Sequence, residues 1–241
     1  MGADQNFDWH GAAASALDWW RDAGVDVVVE DAAFNWLAPP PAPQALVPAA
    51  DPAAALPATL EAFAAWRTGA DMPDAAWGGA TILAAGAAGA ELMVVVDCPE
   101  PGDREALMEG EVGRLFDRML AAIGRTRADV LLASVCTRRP TTGRVPRELL
   151  ARLGEIARHH VGLAGPKRIL ALGDAASRAL LGMGAHESRG RLHALNLNGG
   201  IKVDVVASHH PRFLLDRPAA KGEAWRDLLM LTEGLGQDMR A

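Results

Sequence analysis

Three stretches of the chain carry residue types that could do chemistry. The first is Asp97-Cys98-Pro99-Glu100-Pro101-Gly102-Asp103, an acid followed by a loop stiffened by proline and glycine. A carboxylate held there could orient or polarise a water, or simply cap its own loop. The second is Ser208-His209-His210-Pro211, where the proline fixes how the second histidine is presented. Such a histidine could donate to an oxygen on which charge develops, or to a leaving group. Adjacent histidines could also suggest a metal, but no further His, Cys or acid stands at ligand spacing. The third is Cys136-Thr137-Arg138-Arg139-Pro140, continuing to Gly143-Arg144. Its arginines, set among proline and glycine, suit phosphates, or form a solvated basic loop. The sequence has no G-x-x-x-x-G-K-[ST], no G-x-G-x-x-G and no G-x-S-x-G. A P-loop ATPase, a kinase, a Rossmann dehydrogenase and a serine hydrolase of the elbow type are thereby disfavoured.

Elements that could position these stretches alternate regularly from Glu91 onward. Leu92–Asp97 is a continuous apolar run ending in an acid, as a strand buried on both faces would read. Val130–Val135, Arg168–Leu172 and Ile201–Ala207 read as further strands. Between and after them lie helices over 114–124, 148–161, 175–181 and 221–231, the third closed by Gly182, with 184–191 as a loop. This alternation predicts a three-layer α/β/α sandwich with a central, mainly parallel four-stranded sheet. Ligands of such sheets bind outside the carboxyl ends of the strands. That rule points to 97–102, 134–140, 173–174 and 208–211, the segments that hold the candidate chemistry.

The amino-terminal part differs in composition. It holds six of the seven tryptophans (Trp9, Trp19, Trp20, Trp36, Trp66, Trp77), and the chain has no tyrosine. Residues 11–23 read as a helix, 25–30 as a short strand, 39–55 as a Pro/Ala linker and 57–67 as a helix with Leu60, Phe63 and Trp66 on one face. The tryptophans are expected to pack this arm onto the body, with base stacking as the other reading. The organisation expected is an acidic Trp/Pro/Ala-rich arm and linker over 1–56 and an α/β/α domain over 57–241.

Charge follows the same division. The whole chain of 241 residues has a formal charge of −6, but residues 1–90 carry −9 and residues 91–241 carry +3. The asymmetry directs attention to an anionic partner of the second part. Cys98 and Cys136 form no disulfide framework and no metal-type pair, which suits a reducing compartment. No signal peptide or membrane-spanning run is legible, and a cytoplasmic protein without a membrane partner is expected.

From Glu91 to Leu231 the segments resemble, in order and spacing, the uracil-DNA glycosylase superfamily, nearest its family-4, iron–sulfur branch. The most specific part is His209-His210-Pro211-Arg212-Phe213-Leu214-Leu215-Asp216-Arg217-Pro218, then Lys221 and Trp225-Arg226-Asp227-Leu228. It is similar to a His-Pro-Ser motif followed by Leu-Leu-Arg, Pro, Lys and a Trp-x-Asp-Leu helix. Leu170–Ala176, Gly110–Leu115 with Met119–Gly124, and Arg139-Pro140 with Gly143-Arg144 and Pro146 resemble further family segments. Departures accompany the match. The family's Gly-Glu-Ala-Pro-Gly is Val96-Asp97-Cys98-Pro99-Glu100, its base-reading Asn falls on Ser134, its stacking Phe near Leu107–Met108, and the serine after His-Pro is Arg212. The cluster cysteines fall on Trp66, Arg138 and the neighbourhood of Leu153, so an iron–sulfur cluster is not expected, and neither is any other cofactor.

The resemblance implies a DNA glycosylase of base excision repair, hydrolysing the N-glycosidic bond of a flipped uracil or other deaminated base. It implies catalysis by Asp97 and His210, with base contacts from Pro99, Met108 and Ser134. DNA phosphates would be bound by Arg138, Arg139, Arg144, Ser208, Pro211 and Arg212. The partner would be DNA containing a damaged or deaminated base, and the protein a monomer. The alternatives are a catalytically degenerate relative that binds DNA, and an interaction protein using the acidic Trp-rich arm.

Overall fold

A computed structural model describes residues 9–23, 56–87, 89–197 and 200–233. The expected strand at 25–30 and the Pro/Ala linker lie outside them. The chain divides into two units, residues 1–54 and 55–241. In the first, α1 spans Trp9–Asp22. Its residues 11–23 are exposed, and Trp19 and Trp20 meet edge to face with ring centroids 5.8 Å apart.

The second unit begins with α2 (Leu60–Arg67) and β1 (Ala85–Gly86). The helix starts three residues later than Pro57 suggested, because Thr59 is its N-cap: the Thr59 hydroxyl accepts the N–H of Ala62 at 3.2 Å. Then come β2 (Leu92–Val96), α3 (Gly110–Ala122), β3 (Val130–Ser134), α4 (Arg147–Ala164), β4 (Arg168–Leu172), α5 (Asp174–Leu181), α6 (Ala185–Ser188), β5 (Leu192–Asn196), β6 (Lys202–Ser208), α7 (Pro211–Asp216) and α8 (Lys221–Thr232).

The sheet runs β1-β3-β2-β4-β6-β5. Its centre, β3-β2-β4-β6, is the expected set of four parallel strands. Two antiparallel edges make it six-stranded: β1 on β3 and β5 on β6. Neither edge was readable in advance. β1 is two residues inside an Ala/Gly run, and β5 (Leu-His-Ala-Leu-Asn) buries only Leu195. Within the stretch read as a loop, Ala185–Ser188 forms the short helix α6.

Alternation along the strands explains the continuous apolar runs. Leu92, Val94 and Val96 of β2 face one way and pack with Phe116 and Leu120 of α3, Leu214 of α7 and Leu228 and Leu231 of α8. Met93 and Val95 face the other way and pack with Leu153, Ala157 and Val161 of α4 and Ala176, Ala179 and Leu180 of α5. Both faces are thus covered, giving the three layers. At one edge a buried ion pair ties α2 to the loop after β3. Arg67 bonds Asp74 at 3.2 and 3.3 Å and the carbonyl of Val135 at 3.1 Å, while Asp74 also accepts the N–H and hydroxyl of Thr137 at 2.5 and 2.9 Å. No helix among the described residues is long and apolar enough to cross a membrane.

Candidate active site

The chain passes from β3 back across β2 to reach β4, so the strand order reverses at β2, the crevice where open α/β sheets bind ligands. Register brings three tips level there. Val96 pairs with Leu172 and Leu172 with Ser208, so the next residues are Asp97, Gly173 and His209. Gly173, at φ +104°, has its N–H on the carbonyl of Ser208 at 3.1 Å. A Cβ on Gly173 would stand 2.6 Å from Asp97 Oδ2. Only glycine leaves room for the carboxylate, which accepts the N–H of Ala176 in the first turn of α5 at 2.7 Å. Burial nevertheless raises Asp97 to about 6, against the pull of that bond and of the Arg212 charge.

Across the cleft His210 is the N-cap of α7. Its Nδ1 accepts the N–H of Arg212 at 3.2 Å, and Pro211 takes the first helical position. The imidazole is 5% exposed, and burial with the charges of Arg212 and Arg139 lowers it to about 3. At neutral pH the ring is therefore uncharged. With Nδ1 accepting, the proton sits on Nε2. That Nε2 is buried without a hydrogen-bond partner, and the nearest carboxylate, Glu100 Oε1, is 3.6 Å away. A buried donor left unpaired calls for an explanation, and catalysis is one of the few available.

Asp97 and His210 line one cleft of about 750 Å³. Its basic side chains are Arg144, Arg147, Arg178, Arg212, His186 and His209. The loop of His210 is braced from behind. Ser208 is fully buried with its hydroxyl on Asp227 Oδ2 at 2.8 Å. Arg189 joins Asp227 at 2.9 Å, Glu223 at 2.8 Å and His209 Nε2 at 2.6 Å, and His209 stacks on Phe213.

Several of the other expected site residues lie elsewhere. Met108 is buried under the sheet with Phe116, its carbonyl bonded to Arg127 at 2.7 Å, and it does not line the cleft. Ser134 donates to the carbonyl of Cys136 at 2.6 Å and lines a separate cavity of about 250 Å³ with Phe63 and His160. Pro99 is buried, its carbonyl accepting from Arg139 at 2.7 Å. Arg138 is taken up by Thr81 Oγ1 at 2.8 Å and by the carbonyls of Ala75 and Trp77. Pro211 is buried. Of the arginines expected on phosphate, Arg144 and Arg212 line the cleft.

Sequence reasoning missed Glu100. It sits where the resembling family has glycine, and Arg212 sits where that family has serine. The two departures meet: Arg212 Nη1 bonds Glu100 Oε1 at 2.7 Å and Oε2 at 2.9 Å. An acid and a base replacing small residues in the two motifs that hold Asp97 and His210 was the available signal.

The cluster implied by the resemblance does not fit the residues present. Arg138 is committed to carbonyls and Leu153 is core. Cys98 and Cys136 are buried thiols, Cys98 pushed up to about 11 and Cys136 pushed up further, both by burial, so neither tends to the thiolate a metal needs. Among the described residues no group of three or more His, Cys, Asp or Glu could hold a metal ion.

Comparison with known proteins agrees with the geometry. Residues 84–229 match the Uracil DNA glycosylase superfamily. The type-4 uracil-DNA glycosylase of Pyrobaculum aerophilum is 31% identical over 151 residues, covering 59% of this chain and 77% of that protein. The type-4 uracil-DNA glycosylase of Archaeoglobus fulgidus is 28% identical over 160 residues, 61% of this chain and 78% of that protein. With a family match across more than half its length and a relative 31% identical over 77% of that relative's length, this chain belongs to the uracil-DNA glycosylase superfamily.

Proposed function

We propose that this protein is a DNA glycosylase of base excision repair, removing uracil or another deaminated base from DNA. The observation that carries the reading is that His210, neutral and with its Nε2–H unpartnered, lines the same cleft as Asp97. The target nucleotide is flipped from the stack into the cleft. The C1′–N bond breaks and its electron pair stays on the base, leaving a cationic sugar. His210 donates to the base oxygen where the negative charge collects, and, being neutral already, does so without giving up its proton. Ionised Asp97 stabilises the cation and orients a water, whose oxygen bonds C1′ and whose proton passes to the carboxylate. The departing base takes a proton from solvent. Arg144, Arg147 and Arg178 at the cleft hold the phosphates. Residues 57–241 are read as the catalytic domain and 1–56 as an appended arm.

The test is a glycosylase assay on single- and double-stranded oligonucleotides carrying uracil, hypoxanthine or xanthine, with His210→Ala and Asp97→Asn as controls. Release of one base, strongly slowed in both variants, supports the reading. No release of any base overturns it. A second reading, a relative that binds DNA without cutting it, draws on Ser134 turning to a carbonyl and Glu100 standing beside His210. It predicts salt-dependent binding with no base release.

A further inference from the structure

Glu100 Oε1 lies 2.7 Å from Arg212 Nη1 and 3.6 Å from His210 Nε2. That oxygen is thus bonded to one donor and stands just beyond bonding distance of a second, between the two. We propose that His210 and Arg212 form a two-donor site for the anionic oxygen of the leaving base, with Arg212 a catalytic residue and Glu100 the internal anion that holds its place. The proposal rests on the base-excision reading above and assigns Arg212 to the base instead of the phosphate.

The surroundings fit an occupied anion site. Glu100 is 7% exposed, and a charge so buried persists only when paired. Its main chain is fixed: the Glu100 N–H donates to Asp103 Oδ2 at 2.8 Å, and the same carboxylate holds the N–H groups of Met108 and Glu109 at 3.0 and 2.8 Å. The carboxylate is thus placed by its loop. Arg212, 34% exposed and on the cleft wall, is reachable by a ligand, whereas Glu100 is not on that wall. A carboxylate and a deprotonated uracil offer the same chemistry, negative charge shared over planar acceptors. Exchange of one for the other keeps the guanidinium paired and gives the imidazole N–H, unpaired beside Glu100, an acceptor. When the C1′–N bond breaks, the electron pair stays on the base and its charge is met by both donors. No proton moves to the base in this step, and the water adds to C1′ as above.

The experiment compares single-turnover release of uracil and 5-fluorouracil from one oligonucleotide sequence, alongside the salt dependence of DNA binding. A donor to the leaving anion matters most for the poorer leaving group, uracil. Arg212→Ala is expected to slow uracil release by roughly 10²-fold and 5-fluorouracil release by much less, with an unchanged salt slope. Glu100→Gln, which keeps shape and removes the competing charge, is expected to speed uracil release by roughly tenfold. Because Arg212→Ala strands Glu100, the charge-balanced pair Glu100→Gln with Arg212→Gln is measured too; it is expected to show the same leaving-group bias. Equal slowing of both bases, with a salt slope smaller by about one, makes Arg212 a phosphate ligand and overturns this proposal alone. Release of neither base by the wild-type protein or Glu100→Gln overturns the base-excision reading itself.

Discussion

Asp97 and His210 face the same cleft, and burial moves their ionisation in opposite directions, the carboxyl up to about 6 and the imidazole down to about 3. Each group is thereby set for one role, an acceptor that is ionised at neutral pH and a donor that is uncharged there. Base release at single turnover should rise with pH as Asp97 ionises near 6 and then stay level. An unperturbed imidazole would add a limb near 6.5, and none is expected. A pH–rate series checks this. A limb near 6.5 that persists in Asp97→Asn would contradict it.

The same carboxyl weakens the fold. Its folded value lies above the ordinary 3.8, so the cost is absent well below 3.8, grows as pH rises, and is complete above about 6. Asp97→Asn keeps the acceptor for the Ala176 N–H and loses the charge. It should melt higher than wild type, with a larger gain at pH 7.5 than at pH 4.5, at about 2–4 °C for each kcal/mol recovered. Thermal melts at the two pH values decide it.

Gly173 sets the position of that carboxylate. Gly173→Ala places a Cβ 2.6 Å from Asp97 Oδ2 at a backbone angle that side chains avoid. The strain should cost about 1–3 kcal/mol of stability, and displacement of Asp97 should slow base release by about 10²-fold. A variant that melts and reacts like wild type would refute the role given to this glycine.

Asp227 braces the histidine loop from behind. It is 1% exposed, and Asp227→Ala would leave Arg189 and the Ser208 hydroxyl without their shared acceptor. Urea unfolding should register a loss of about 3–5 kcal/mol, with a smaller loss for Asp227→Asn.

The acidic arm is tested by removal. Residues 1–90 carry −9 against +3 in the remainder, and deleting 1–56 takes away most of the acids. If the arm opposes DNA, affinity measured at low salt should rise on deletion, and the difference should shrink as salt is added.

The parallel centre of the sheet was legible in the sequence because strands buried on both faces leave an unmistakable apolar run, as at Leu92–Val96 and Arg168–Leu172. The edges were not: Ala85–Gly86 is too short for a periodicity, and β5 carries polar residues on an edge that faces solvent on most positions. That Asp97 and His210 line one cleft was legible because such sheets bind ligands outside the strand tips at the switch point. The roles of Ser134, Arg138 and Met108 depended on where their side chains turn, which spacing does not encode. Ser134 and Arg138 turn to nearby carbonyls, and Met108 turns into the core. Glu100 escaped because its partner, Arg212, lies 112 residues away in sequence.

The central claim is that the unpaired Nε2–H of His210 serves the leaving base. It is tested most directly by single-turnover release of uracil from a uracil-containing oligonucleotide by wild type and His210→Ala, with DNA binding measured in parallel. The account predicts release by wild type, slowed by about 10²–10³-fold in the variant, and binding that is little changed. Equal release by the two proteins would contradict it.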